Sequence, residues 1–277
     1  MIVLVAGAHG RLGSRVVTLL LRRGHEVRAL VRTPAQAAVL GRRTGAEAVV
    51  ADLRGDVEWT AEGCNAAVFT AAARHRSELG SIDAGGAAKL AEAADHYEFT
   101  RFVLASVVGA DRPERRDGAV CEFLTAKRNA ERRLAKLGLP WTILRFGQLT
   151  ENPGSGRIDT VVRAGAPLTT PRDVAALAIT EALARPHLGR QVVNVVDGEL
   201  HVADALDAID PLPLPPPGSR HARAAVPLGV AQADNPPDDP QMIESDAAPL
   251  DADVEWVGDG PVPPEPVGND DPAPGIP

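Results

Sequence analysis

Residues 7–13 read Gly7-Ala8-His9-Gly10-Arg11-Leu12-Gly13, and this run limits what the chain can become more than any other. It follows directly on the apolar run 2–6. It leads into residues 11–23, where Leu12, Val16, Leu19 and Leu20 form one helical stripe. Strand, glycine turn and helix in this order open a βαβ unit. Gly7 allows the tight strand exit, Gly10 lets backbone approach a diphosphate, and Gly13 lets the helix pack close to the sheet. The unpaired amides at the helix start then face the diphosphate and stabilise its charge.

The rest of the front portion repeats the alternation. Apolar β-type runs fall at 2–6, 26–31, 47–52, 66–71, 101–106, 141–146 and 191–196. Their centres are nearly continuous in apolar residues, as expected of parallel strands buried on both faces. Helical patterns fall at 81–97, 117–137 and 202–209, and a further helix through Ala184 opens with Thr170 as N-cap and Pro171 in its first turn. We therefore expect a Rossmann-like, doubly wound parallel sheet forming a single α/β domain over residues 1–209.

Charge divides at the same boundary. From Asp210 onward there are 13 acidic residues against Arg220 and Arg223, a net of −11, which leaves the first 209 residues at +3. Of the 24 prolines, 17 lie at or after Pro211. Residues 210–277 cannot bury enough apolar surface to offset their ordering entropy, and we expect a disordered, acidic, proline-rich tail open to a protein partner. The two cysteines, Cys64 and Cys121, are too few for a disulfide framework, and no histidine pair has metal-ligand spacing on one element. With neither a signal segment nor a membrane-length apolar run, the expectation is a cytoplasmic protein that holds no metal. The basic clusters at 112–116 and 128–133 are interleaved with carboxylates and lack aromatics, so nucleic acid is not expected as a ligand.

The end of the second strand bears on which nucleotide binds. An acidic residue about 20 positions beyond the glycines would hold a ribose 2′-hydroxyl. Here Arg32 stands instead, with no carboxylate until Glu47. A guanidinium suits a 2′-phosphate, which favours NADP(H) over NAD(H), although a solvated surface arginine would read the same. Asp52 and Leu53, at the end of the third strand, fall where an adenine would lie; Asp52 can also cap the turn that follows. Ala71, Ala72 and Ala73 follow the fourth strand, where small residues let a ribose and its phosphates pass.

Three segments in this order resemble the atypical short-chain dehydrogenase/reductase superfamily, in particular its small NAD(P)H-binding, NmrA-like group. Val5–Gly13 resembles that family's Gly-Ala-Thr-Gly turn, with His9 for threonine. The run 101–111 resembles its fifth-strand serine segment, and 139–147 resembles the strand usually ending Arg-Pro-Gly, with Phe146 for proline. The resemblance implies that Ser106 faces substrate, that Lys127 holds the nicotinamide ribose, and that Phe146 borders the nicotinamide. It also implies a Tyr-x-x-x-Lys pair, and here the sequence departs. The matching stretch is Phe123-Leu-Thr-Ala-Lys127, and Tyr97, the chain's one tyrosine, precedes the fifth strand. Phenylalanine has no proton to give. Ser106 can equally bond a strand-end backbone group, and Lys127 can equally be a surface lysine. The expected ligands are a nicotinamide cofactor and a small-molecule substrate, such as a flavin or quinone, that needs no tyrosine acid. The alternative is a non-catalytic NADP(H)-binding sensor. The loop 148–157, rich in glycine, proline and asparagine, is expected as a mobile rim of the pocket.

Overall fold

The computed structural model describes residues 1–163 and 168–212. The expectation for the tail therefore lies almost wholly outside the described residues. The elements run β1 (Ile2–Ala6), α1 (Arg11–Arg22), β2 (Glu26–Val31), α2 (Pro34–Thr44), β3 (Glu47–Val50), β4 (Ala66–Phe69), α3 (Ala87–His96), β5 (Arg101–Val107), α4 (Gly118–Leu134) and β6 (Trp141–Phe146). Then follow β7 (Gln148–Thr150), β8 (Arg157–Asp159), β9 (Thr169–Pro171), α5 (Arg172–Leu183), β10 (Gln191–Asp197), β11 (Leu200–His201) and α6 (Val202–Asp207).

The main sheet has the order β11-β8-β10-β6-β5-β4-β1-β2-β3. From β3 to β10 every pair is parallel, and only β8 runs against its neighbours. The chain order reverses between β1 and β4, the place where doubly wound sheets open a crevice at their carboxyl ends. This is a Rossmann-like fold.

Alternation along β1 shows why the strands are apolar throughout. Val3 and Val5 enter one core with Leu12, Val16 and Leu20 of α1 and Val174 and Ile179 of α5. Leu4 and Ala6 enter the other with Leu90 of α3, Leu134 of α4 and Trp141. With a core on each face, the central strand β1 leaves no position from Val3 to Ala6 for water. Burying a side chain such as Leu20 in full stabilises by about 1.5–3 kcal/mol.

Several local expectations need correcting. The helix α2 was not expected, because only Leu40 of it is buried and the amphipathic signal is weak. Its capping box is legible in retrospect. Thr33 Oγ1 accepts from the Gln36 amide at 3.3 Å and Gln36 Oε1 accepts from the Thr33 amide at 3.2 Å, with Pro34 between. The helix expected at 81–97 is a π-helical segment, Leu79–Gly86, that passes into α3. Thr170 is not an N-cap: it lies in β9, donates to the Val195 carbonyl at 2.7 Å and accepts from the Gly147 amide at 3.0 Å. Helix α5 starts one residue later, after Pro171.

The last helix is held by charge as well as packing. Arg185 binds Glu181 on α5 and Asp207 on α6, and Glu181 also accepts from Arg23. Hydrogen bonds from Arg185 lower the Asp207 pKa; at Glu181, burial pushes upward but the arginines outweigh it and the pKa falls. Lowered carboxylate values stabilise above the unfolded pKa and lose that stabilisation as pH falls through the folded one. We expect the urea midpoint to hold above about pH 5 and fall steadily below it. A midpoint that rises on acidification would contradict this ion-pair account.

Candidate functional site

The glycine turn closes between β1 and α1, with the Gly10 amide donating to the Gly7 carbonyl at 2.9 Å. Gly7 has φ +79°, a left-handed value, and a Cβ there would stand 2.6 Å from the Ala71 amide nitrogen. A Cβ on Gly13 would stand 2.0 Å from the Gly7 carbonyl oxygen. Thr70 at the end of β4 donates to the Ala6 carbonyl at 2.8 Å, so β1, β4 and the turn form one tight joint. Helix α1 opens with no side-chain cap and no acidic residue in its first turn. Its first amides are left for an external partner. His9 Nδ1 is likewise buried with no hydrogen-bond partner among the described residues. A diphosphate fits this donor set.

Beside the turn lies an open groove lined by Gly7, His9, Arg32, Asp52, Leu53, Ala71 and Ala72 among others. Seven residues expected from the sequence thus meet on one surface. Arg32 makes no side-chain hydrogen bond or ion pair within the described residues, and its charge draws the Asp52 pKa down. The larger cause at Asp52 is Arg54, whose side chain binds the carboxylate at 2.6 Å and whose amide donates to Oδ1 at 2.9 Å. Both roles left open for Asp52 therefore keep a basis: it caps the turn and still borders the groove.

Other expected residues lie elsewhere. Ala8 and Leu12 point into the core under α1, because a helix start must bury its inner stripe. Ala73 is buried and meets the site through its amide, which donates to Asp83 Oδ2 at 2.8 Å. Phe146 is 2% exposed and packs in the α5-side core, so its ring does not border the crevice. Arg11 reaches Glu151 at 3.9 Å. Glu151 also binds Arg15 and Arg172, each at 2.8 Å, and β7 pairs with β9. Those contacts anchor the start of loop 148–157, which was expected as a mobile rim.

Ser106 and Lys127 have partners that the sequence did not suggest. Along α4, Phe123, Lys127 and Glu131 recur every four residues and share one face. The Lys127 ammonium lies 2.8 Å from Asp83 Oδ1 and 5.6 Å from the centre of the Phe123 ring. Both charges are buried, so Lys127 is not a surface lysine. Ser106 Oγ donates to Glu131 Oε1 at 2.5 Å rather than to a backbone group. Arg145 grips the same carboxylate with Nε at 3.0 Å and Nη2 at 2.6 Å, and its Nη1 lies 3.4 Å from Asp111. Burial works against the Arg145 charge, but Glu131 and Asp111 outweigh it and raise its pKa. Sequence reasoning missed Asp83, Glu131 and Asp111; the four-residue spacing from Lys127 to Glu131 was the available signal.

Comparison with known proteins agrees with this geometry. Residues 7–186 match a family described as NAD(P)H-binding. The chain is 32% identical over 211 residues to a Bacillus subtilis protein named an uncharacterized sugar epimerase, YhfK, covering 74% of this chain and 98% of that one. A putative NAD-dependent epimerase/dehydratase from Bacillus halodurans is similar in structure, with a TM-score of 0.69, 28% identity and coverage of 76% and 100% of the two chains. The oxidoreductase ylbE from Lactococcus lactis follows at a TM-score of 0.68 and 25% identity, covering 76% and 96%. Among the described residues no helix is long and apolar enough to cross a membrane. The glycine joint, the uncapped helix start and these likenesses agree, and the chain belongs to the NAD(P)H-binding family, as an atypical short-chain dehydrogenase/reductase-like protein.

Proposed function

We propose that this domain binds NADP(H) in preference to NAD(H) and uses it to reduce a flavin, quinone or similar conjugated acceptor without a tyrosine acid. The observation that supports this is the close phosphate joint from Gly7 to Gly13, and the absence of a tyrosine acid is read from the resemblance that aligns Phe123 with that position. Bound reduced nicotinamide supplies the hydride; the protein supplies binding and orientation. The amides at the start of α1 hold the diphosphate. Arg32 meets the 2′-phosphate, and Leu53 and Asp52 border the adenine. Asp83 fixes the Lys127 ammonium at the ribose end. Sugar epimerase chemistry, which the relatives' names suggest, is less well supported, because it returns a proton as well as a hydride and Phe123 carries none.

Two measurements test this. Steady-state NADPH consumption with a panel of flavins and quinones should give turnover on at least one of them. Arg32→Asp should move preference from NADPH toward NADH by at least about tenfold, or 1.4 kcal/mol. An unchanged preference would remove Arg32 from the 2′-phosphate reading.

One feature favours a second reading, a non-catalytic NADP(H) sensor whose acidic segment 210–277 meets a protein partner. Ser106 and Lys127 are both buried, with the serine proton given to Glu131 and the ammonium paired with Asp83. Tight NADPH binding without consumption on any acceptor would support the sensor and exclude the reductase.

A further inference from the structure

We propose that Ser106 acts toward the second substrate only as a hydrogen-bond acceptor, so that the substrate presents an N–H or O–H at the carboxyl end of β5. This rests on the reductase reading above and deepens it by giving the polarity of the acceptor molecule.

A serine hydroxyl has one proton and two lone pairs. Here the proton goes to Glu131 Oε1 at 2.5 Å, a side chain with no exposed surface. That carboxylate is fixed by two bonds from Arg145, itself 1% exposed. Charge-assisted bonds of this kind are among the strong ones, and low surrounding polarity strengthens them further. Turning the proton toward a ligand would leave a buried carboxylate one donor short. What Ser106 retains for a ligand is therefore its lone pairs. Its position, at the end of a central parallel strand, is where such sheets meet their ligands.

The neighbours reinforce the point. Phe123, one helical turn before Lys127 on α4, offers no proton. A simple ketone, whose oxygen only accepts, finds no donor at Ser106. A conjugated ring system that spreads incoming negative charge over several atoms does not require one. If it also carries an imide N–H, that group finds the serine oxygen. An isoalloxazine has both properties.

The test compares lumiflavin with its N3-methyl derivative, which lacks that donor, by fluorescence quenching on the full-length protein saturated with NADP⁺. The wild type should bind lumiflavin about tenfold more tightly. Ser106→Ala should bind the two alike, and Ser106→Thr, which keeps a hydroxyl, should restore the difference. Equal affinities in the wild type would overturn the proposal. So would failure of both flavins to bind a protein that takes up NADPH. Failure to take up NADPH at all would fall on the cofactor reading first and bring this inference down with it.

Discussion

Arg145→Leu should cost about 3–5 kcal/mol of folding stability, a large part of the 5–15 kcal/mol a domain usually has. The reason is the carboxylate left behind. Glu131 has no exposed surface, and Arg145 supplies two of its three side-chain hydrogen bonds. Removing the cation leaves a buried charge whose only remaining side-chain donor among the described residues is Ser106. The effect should shrink when both partners go: Arg145→Leu with Glu131→Leu should recover much of the loss, since apolar replacements of a buried pair are often near neutral. Urea unfolding of the single and the double variant measures this. A single-mutant cost under about 1 kcal/mol, the range of an exposed pair, would show that the network is not the closed, charged unit described above.

The second large effect is expected at Gly13. An alanine there places Cβ 2.0 Å from the Gly7 carbonyl oxygen, with Thr70 Oγ1 at 2.8 Å. The nearest obstacle is backbone, so the clash is relieved only by lifting α1 from the turn. The amides that meet the diphosphate move with it. We expect Gly13→Ala to lower NADPH affinity on the order of 100-fold, about 2.7 kcal/mol, by calorimetric titration. Gly41→Ala is the matched control. It lies inside α2, its Cβ would come no closer than 4.0 Å, at the Ala46 carbonyl oxygen, to described atoms outside its own helix backbone and chain neighbours, and it should leave affinity unchanged while slightly stabilising the helix. Wild-type affinity in Gly13→Ala would refute the close joint as the cofactor's seat.

The parts that were legible in the sequence are those governed by short-range rules. Strands β1, β2 and β6 match their expected bounds because strands with a core on each face read as largely apolar runs, unbroken in β1 and interrupted only by Arg28 inside β2 and by Thr142 and Arg145 in β6. The glycine turn was legible because backbone sterics demand glycine at specific positions. Arg32, Asp52, Leu53, Ala71 and Ala72 share a groove because parallel strands deliver their carboxyl ends to one side of the sheet.

What stayed hidden depends on long-range pairing. Nothing local tells Ser106 that its partner is 25 residues away on α4, or Lys127 that Asp83 waits 44 residues upstream. Phe146 was misjudged for the same reason: its place in the chain implied the crevice, while the pleat turned its ring into the core. The helix α2 was missed because it buries one leucine and relies on its cap.

Asp83 touches two distant parts of the chain at once. One oxygen accepts from the amide of Ala73, just past β4; the other pairs with the ammonium of Lys127 on α4. A single carboxyl group thus ties the segment after β4 to helix α4. Shifting that group disturbs both, so substitutions at the two ends should show non-additive effects in double-mutant cycles, even where their side chains never meet.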